Sequence, residues 1–267
     1  MSRSARLVVF LIGAGCVAAM FAVAFFKMPA FGGSMHLYRD LAVPASVSHY
    51  TANVVASVNF DQRAIDTLGE ETILVASVIG AAVMLRPAEE EAEMRPKAVG
   101  RTLEATKLVG YLLLPVTLLI GLDVVLHGQS TPGGGFQGGV ILATGLHLLY
   151  VTGSYRALDR LRPLELFDTG EAVGAVAFAG VGIAGIVVAG NFLANIIPGG
   201  TFGQLLSAGT VPVLNGAVGL EVGCGIVVLL AYFLQQDIII TAQSQQAARD
   251  GSQKARAGES VVAGERS

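Results

Sequence analysis

Charge is scarce in this sequence: Asp, Glu, Lys and Arg make up 14% of its 267 residues, where a soluble domain carries roughly 25%. That deficit argues against an ordinary water-soluble globule and points to lipid as the solvent of much of the chain. Net charge is only -3 and no basic stripe is present, so the electrostatic footprint of a nucleic-acid binder is missing. Cysteine is scarcer still. Cys16 and Cys224 both lie in apolar runs without metal or redox spacing, and both read as small buried hydrophobes. With no iron–sulfur motif and no nucleotide fingerprint, no cofactor or metal is expected, and a redox centre would belong to a partner.

What is abundant is apolar sequence. It gathers into six runs, Leu7–Phe26, Leu68–Leu85, Leu108–Leu126, Phe136–Thr152, Ala172–Leu193 and Leu214–Leu234, each approaching the about 20 residues a helix needs to cross a bilayer. The fold class expected is therefore all-α, a polytopic protein of about six transmembrane helices in a prokaryotic cell membrane. Basic residues orient it. Arg3 and Arg6, those of 86–107, Arg156, Arg160, Arg162 and those after Leu234 share one side, against Lys27, Arg39 and Arg63 on the other. The positive-inside rule then places both termini in the cytoplasm. For the first run a second reading exists, a signal peptide cleaved near Ala22-Val23-Ala24, although its length suits a spanning helix.

Glu89, Glu90, Glu91 and Glu93 beside Pro87 and Pro96 mark a solvated cytoplasmic linker. The organisation read from this is a two-helix module at 1–88, a charged linker at 89–107, a four-helix domain at 108–241, and a polar tail at 242–267. That tail has too little apolar surface to fold alone.

An ionisable group at the centre of a spanning helix costs about 2.5–3.5 kcal/mol and needs a reason. Glu221, about seven residues or ~10 Å into the sixth run, is the clearest case, read as facing either a polar packing partner or an ion path. Asp66-Thr67-Leu68-Gly69-Glu70-Glu71 opens the second run. Asp66 there is readable as a helix cap, or Asp66 and Glu70, four apart on one face, as two carboxylates offered to a cation. Asp168-Thr169-Gly170-Glu171, before the fifth run, has the capping reading at least as strongly. His147 lies deeper in the fourth run, as a packing residue or a proton carrier.

The string Thr131-Pro132-Gly133-Gly134-Gly135-Phe136-Gln137-Gly138-Gly139 has successive glycines but no following Lys-Ser/Thr, so it is not a phosphate loop. Pro132, Gly133, Gly134, Gly135 and Gln137 read instead as a tight turn or re-entrant start of the fourth helix. Asp123, at the end of the third helix, is placed to meet Gln137 there.

From about Gly110 to Leu234 the sequence resembles the MnhB family, the B subunit of Mrp-type multisubunit cation/proton antiporters. The residues that carry the likeness are this glycine string, Pro198-Gly199, Ser207-Ala208-Gly209-Thr210, Asn215 and Gly219-Leu220-Glu221-Val222. Upstream, Asn53-Val54-Val55, Asp61, Arg63 and Asp66-Thr67-Leu68-Gly69-Glu70 resemble a module of the E-type protein of membrane-bound hydrogenases, which also forms the C-terminal end of the large Mrp A protein. Gln62, Ala64 and Ile65 depart from that module's pattern.

The double resemblance implies a fusion of neighbouring small subunits and a transporter component rather than an enzyme. Its partners would be other antiporter subunits, the bilayer, and transported Na⁺ or K⁺ and H⁺. It also makes Glu70 the leading ion-path residue, with Asp66, Glu221, Asp123 and His147 as further candidates. Membership of a redox-driven complex such as a membrane-bound hydrogenase is the alternative.

Overall fold

The computed structural model describes residues 3–28, 32, 36–85, 103–152, 164–234 and 236. Residues 89–102 of the proposed 89–107 linker and the tail from 242 lie outside them. The described residues are helical, with no strand among them. In chain order they form α1 (Arg3–Phe26), α2 (Leu37–Ser48), α3 (Val54–Ser57), a π-turn at Val58–Gln62, α4 (Ala64–Met84), α5 (Glu104–Leu126), α6 (Gly135–Val151) and α7 (Leu164–Ala189), and then α8 (Val211–Leu234).

Among the described residues, five helices are long and apolar enough to cross a membrane: Leu7–Phe26 within α1, and α4, α5, α7 and α8. α6 has 17 residues, which at 1.5 Å per residue is about 25 Å and sits at the lower limit of the spanning range. The chain is thus a multi-pass membrane protein.

Two compact units divide it, residues 1–41 and 42–267. The first is dominated by α1, apolar around its circumference. In the second, residues 42–85 share one unit with the later helices. Asn53 supplies one reason. Its side chain caps α3 by accepting from the Val55 and Ala56 N–H groups, and its Nδ2 donates to the carbonyls of Gly128 and Thr131, each at 2.8 Å. Asn53 N–H also donates to the Gln129 carbonyl at 3.0 Å.

α8 is the axis of this second unit: 61% of its apolar window is buried, against 17–22% for α4, α5 and α7. Small residues let its neighbours approach. A Cβ on Gly139 of α6 would lie 2.9 Å from the Gly219 carbonyl and Gly223 nitrogen, and one on Gly174 of α7 would lie 2.7 Å from the Ala217 carbonyl. Such backbone-to-backbone seams give membrane helices dispersion contact where no hydrophobic drive exists. Phe60 and Phe178 add a tilted ring contact at 6.4 Å.

The glycine string forms the turn into α6. Gly133 and Gly134 take φ of 139° and 143°, backbone that side-chain-bearing residues rarely adopt. The Gly135 N–H then donates to Asn215 Oδ1 at 2.8 Å in a buried contact, so α6 begins against a side chain of α8.

α7 starts at Leu164, eight residues before the apolar run suggests, because Leu164, Leu166 and Phe167 already extend it. It ends at Ala189, where Gly190 at φ 79° turns the chain. The next segment folds back, with Leu193 N–H donating to Gly182. Asn195 accepts from Thr210 N–H at 2.9 Å just before α8.

Candidate functional site

Three glutamates from three helices are buried in the second unit: Glu71 on α4 at 2% exposure, Glu171 on α7 at 6%, and Glu221 on α8 at 0%. Local sequence explains how each comes to face inward. Ala64, Thr67, Glu71 and Val78 are the buried positions of α4, spaced by threes, fours and sevens as one face of a helix requires. Glu171, Gly174, Phe178, Gly182 and Gly185 form the same kind of stripe on α7.

Glu71 and Glu221 face each other closely enough for their carboxyl groups to interact. Yet neither carboxyl finds a donor among the described residues: both oxygens of Glu71, both of Glu221 and Oε1 of Glu171 lack one. A carboxylate only accepts, so the contact between Glu71 and Glu221 requires a shared proton or a bridging cation. Glu171 packs beside Gly225 and faces the charges of both Glu221 and Asp168. Gly225 is four residues beyond Glu221, so Glu171 sits ~6 Å further along α8.

Charge contacts continue at both ends of the row, from Glu71 to Glu70 and from Asp168 to Glu165. Glu71, Glu221 and Glu171 thus form a buried row, with the exposed Glu70 beside one end and the exposed Asp168 and Glu165 beside the other, each near enough to its neighbour for like charges to repel. Its Asp168 end opens into a cavity of about 670 Å³ between α4, α7 and α8.

The sequence-derived candidates separate in space. Glu221 joins this row. Glu70 and Asp66 share the exposed face of α4, as their spacing requires, with Asp66 paired to Arg63. Asp66 lies inside the first turn of a helix that begins at Ala64, so it is not the cap. Asp123 is exposed and pairs with His127 at 3.0 Å, while Gln137 is exposed on the first turn of α6. His147 is buried in the last turns of α6. Glu171 and Asp168, read from sequence as a helix opening, lie within α7, and Glu171 faces the core. One further contact has no signal in the sequence: His49 and Asp61 meet at 2.5 Å, with the Asp61 side chain 4% exposed. Asp61 belongs to the π-turn, a distortion that often marks functional positions. Among the described residues no group of three or more His, Cys, Asp or Glu could hold a metal ion.

Comparisons with known proteins agree with this architecture. A family described as a domain related to the MnhB subunit of Na⁺/H⁺ antiporters matches residues 105–228. An uncharacterized protein of Methanocaldococcus jannaschii is 32% identical over 208 residues, covering 67% of this chain and 76% of that protein. A probable A/B subunit of a K⁺/H⁺ antiporter of Rhizobium meliloti is 26% identical over 142 residues, 44% of this chain; the match spans only 14% of that longer relative.

Two solved structures share the fold. A chain of the membrane-bound sulfane sulfur reductase, an archaeal respiratory membrane complex, aligns with a TM-score of 0.63 and 22% identity over 86% of this chain and 98% of that one. A chain of the Mrp complex from a Dietzia species aligns with a TM-score of 0.61 and 24% identity, over 87% of this chain and 26% of that one. The glycine turn against Asn215, the buried Glu221 and these matches place the chain in the family of membrane proteins built on a domain related to the MnhB antiporter subunit.

Proposed function

We propose that this chain is an accessory subunit of a multisubunit monovalent cation/proton antiporter, and that its carboxylate row is one segment of a charge path shared with other subunits. The observation that carries the proposal is the contact of Glu71 with Glu221. Two acidic groups without donors, held together in the bundle core, form a place where a proton or a small cation resides and from which it can be exchanged. Glu70 faces outward from the next position of α4 and passes charge between Glu71 and a neighbouring subunit. In this reading the pumping machinery lies in partner chains, the transported ion is Na⁺ or K⁺ against H⁺, and the chain catalyses no bond-making reaction.

The order of its parts, an A- or E-like module followed by an MnhB-like domain, reads as a fusion. It is supported by the Mrp structure, where 87% of this chain aligns within one longer chain. The test is cation-dependent dissipation of a pH gradient in vesicles containing the complex purified with and without this chain. Loss of exchange is expected in its absence, and full exchange without it would end the proposal.

A second reading, a membrane-arm component of a redox-driven complex, is supported by the alignment to nearly the full length of a chain from the sulfane sulfur reductase. Identification of the chains that co-purify in mild detergent separates the two: a partner carrying a redox centre favours the second.

A further inference from the structure

The cavity beside the row has an unusual lining. Val75, Val78, Ile79, Val228 and their neighbours make most of its wall apolar, Tyr232 contributes a hydroxyl-bearing ring, and among the described residues its charged side chains are Asp168 and Glu171. Among the described residues no Lys, Arg or His lines it. It lies at one end of the bundle, where α4 and α8 finish and α7 begins. Glu171 is more than nine-tenths buried, lines this space, and has an oxygen with no hydrogen-bond partner.

We infer that this cavity is a water-filled, cation-selecting vestibule that admits hydrated monovalent cations or hydronium to Glu171 from the side of the membrane on which α7 begins. The inference rests on the reading of the carboxylate row as a charge path. A buried carboxyl without a protein donor is satisfied by a proton, by solvent or by a cation, and an open cavity beside Glu171 gives all three a way in. About 670 Å³ holds on the order of twenty waters at ~30 Å³ each. A phospholipid headgroup is a poor occupant, because its phosphate would meet the acidic side chains of Asp168 and Glu171. Selection by charge follows from the same lining, since apolar walls of low dielectric focus the field of the two carboxylates along the opening. Beyond Glu171 the row closes, as Glu221 is fully buried. The vestibule therefore serves one face of the membrane, and the route to the other face passes Glu71 toward Glu70 and a partner.

The experiment uses membrane vesicles holding the assembled complex, with Cys16→Ser and Cys224→Ala as background and a single new thiol at Ala82→Cys or Ala172→Cys, both in the cavity lining. Labelling rates are measured with two membrane-impermeant methanethiosulfonates, one bearing a trimethylammonium and one a sulfonate, and normalised to an Ala157→Cys reference. Both positions are expected to react from the same face as Ala157→Cys, with the cationic reagent favoured at least fivefold over the reference ratio. Adding Asp168→Asn and Glu171→Gln should return the ratio to the reference. Reaction only with a membrane-permeant apolar maleimide would mean a lipid-filled groove and overturn the inference, as would equal normalised rates for the two charged reagents. Labelling does not depend on transport, so the two ideas fail separately. If Glu221→Gln abolishes exchange while the cavity labels as a lipid groove, only the vestibule is lost. If the cavity selects cations while Glu221→Gln exchanges normally, only the path is lost.

Discussion

Glu221→Gln is expected to make the chain more stable and the complex inactive, two effects of one substitution with opposite consequences. Glu221 is fully buried and neither oxygen has a donor. An ionisable side chain at such a depth costs about 2.5–3.5 kcal/mol on insertion scales, and a neutral amide without full hydrogen bonding costs about 1–3 kcal/mol. Glutamine keeps the shape and brings an N–H donor to the Glu71 carboxylate, so its cost falls at the lower end of that range. The net gain is about 1–2 kcal/mol. At roughly 2–4 °C per kcal/mol for a chain of this size, the unfolding midpoint in detergent should rise by about 2–8 °C. Exchange should meanwhile fall at least tenfold, because the amide neither releases a proton nor carries the charge that holds a cation. The assays are a thermal shift on the purified complex and pH-gradient dissipation in vesicles at matched protein density. Wild-type exchange rates would refute the path. A lower midpoint would refute the claim that Glu221 is retained at a cost to stability.

The neighbouring carboxylates should divide by position. Glu71→Gln should lower exchange and raise stability as Glu221→Gln does, whereas Glu70→Gln, on the exposed face of α4, should lower exchange in the complex with little change in stability of the separated chain. Comparing the two thermal shifts checks this. Asn215→Ala removes the acceptor of the buried Gly135 N–H and should destabilise the chain by about 1–3 kcal/mol, read as a lower denaturation midpoint and a lower yield of assembled complex. For topology, Leu206→Cys, at 81% exposure, should label from outside and Ala92→Cys from the cytoplasm. The reverse result would invert the orientation derived from basic residues.

The helices were legible in the sequence because an apolar run of spanning length is a strong signal. Glu221 stood out for a related reason, as one acid in the middle of such a run. Glu71 was harder to see. The motif drew attention to Glu70, and the periodicity that separates the two residues is weak in a lipid-exposed helix, where outward residues such as Ile73 and Ile79 are as apolar as inward Val78. The buried spacing of Ala64, Thr67, Glu71 and Val78 was present in the sequence, but smallness rather than hydrophobicity marked it. Glu171 was hidden by a boundary. Starting the helix at Ala172 made an adjacent acid look like capping chemistry, whereas the additional turns from Leu164 carry it into the core. The meeting of Glu71, Glu171 and Glu221 depends on tertiary approach through Gly174 and Gly225, which no local pattern encodes.

Asn53 has a consequence for how the chain can be divided. Its bonds to the Gly128 and Thr131 carbonyls, together with the facing of Glu71 and Glu221, join the part before the acidic linker to the part after it without using the linker. The covalent connection between α4 and α5 therefore supplies effective concentration more than geometry. Two polypeptides cut within 89–102 and made together would diffuse in the same membrane and re-form these contacts. Their association would be set by Asn53 and the helix seams, and would weaken on dilution into excess lipid in a way that the intact chain would not.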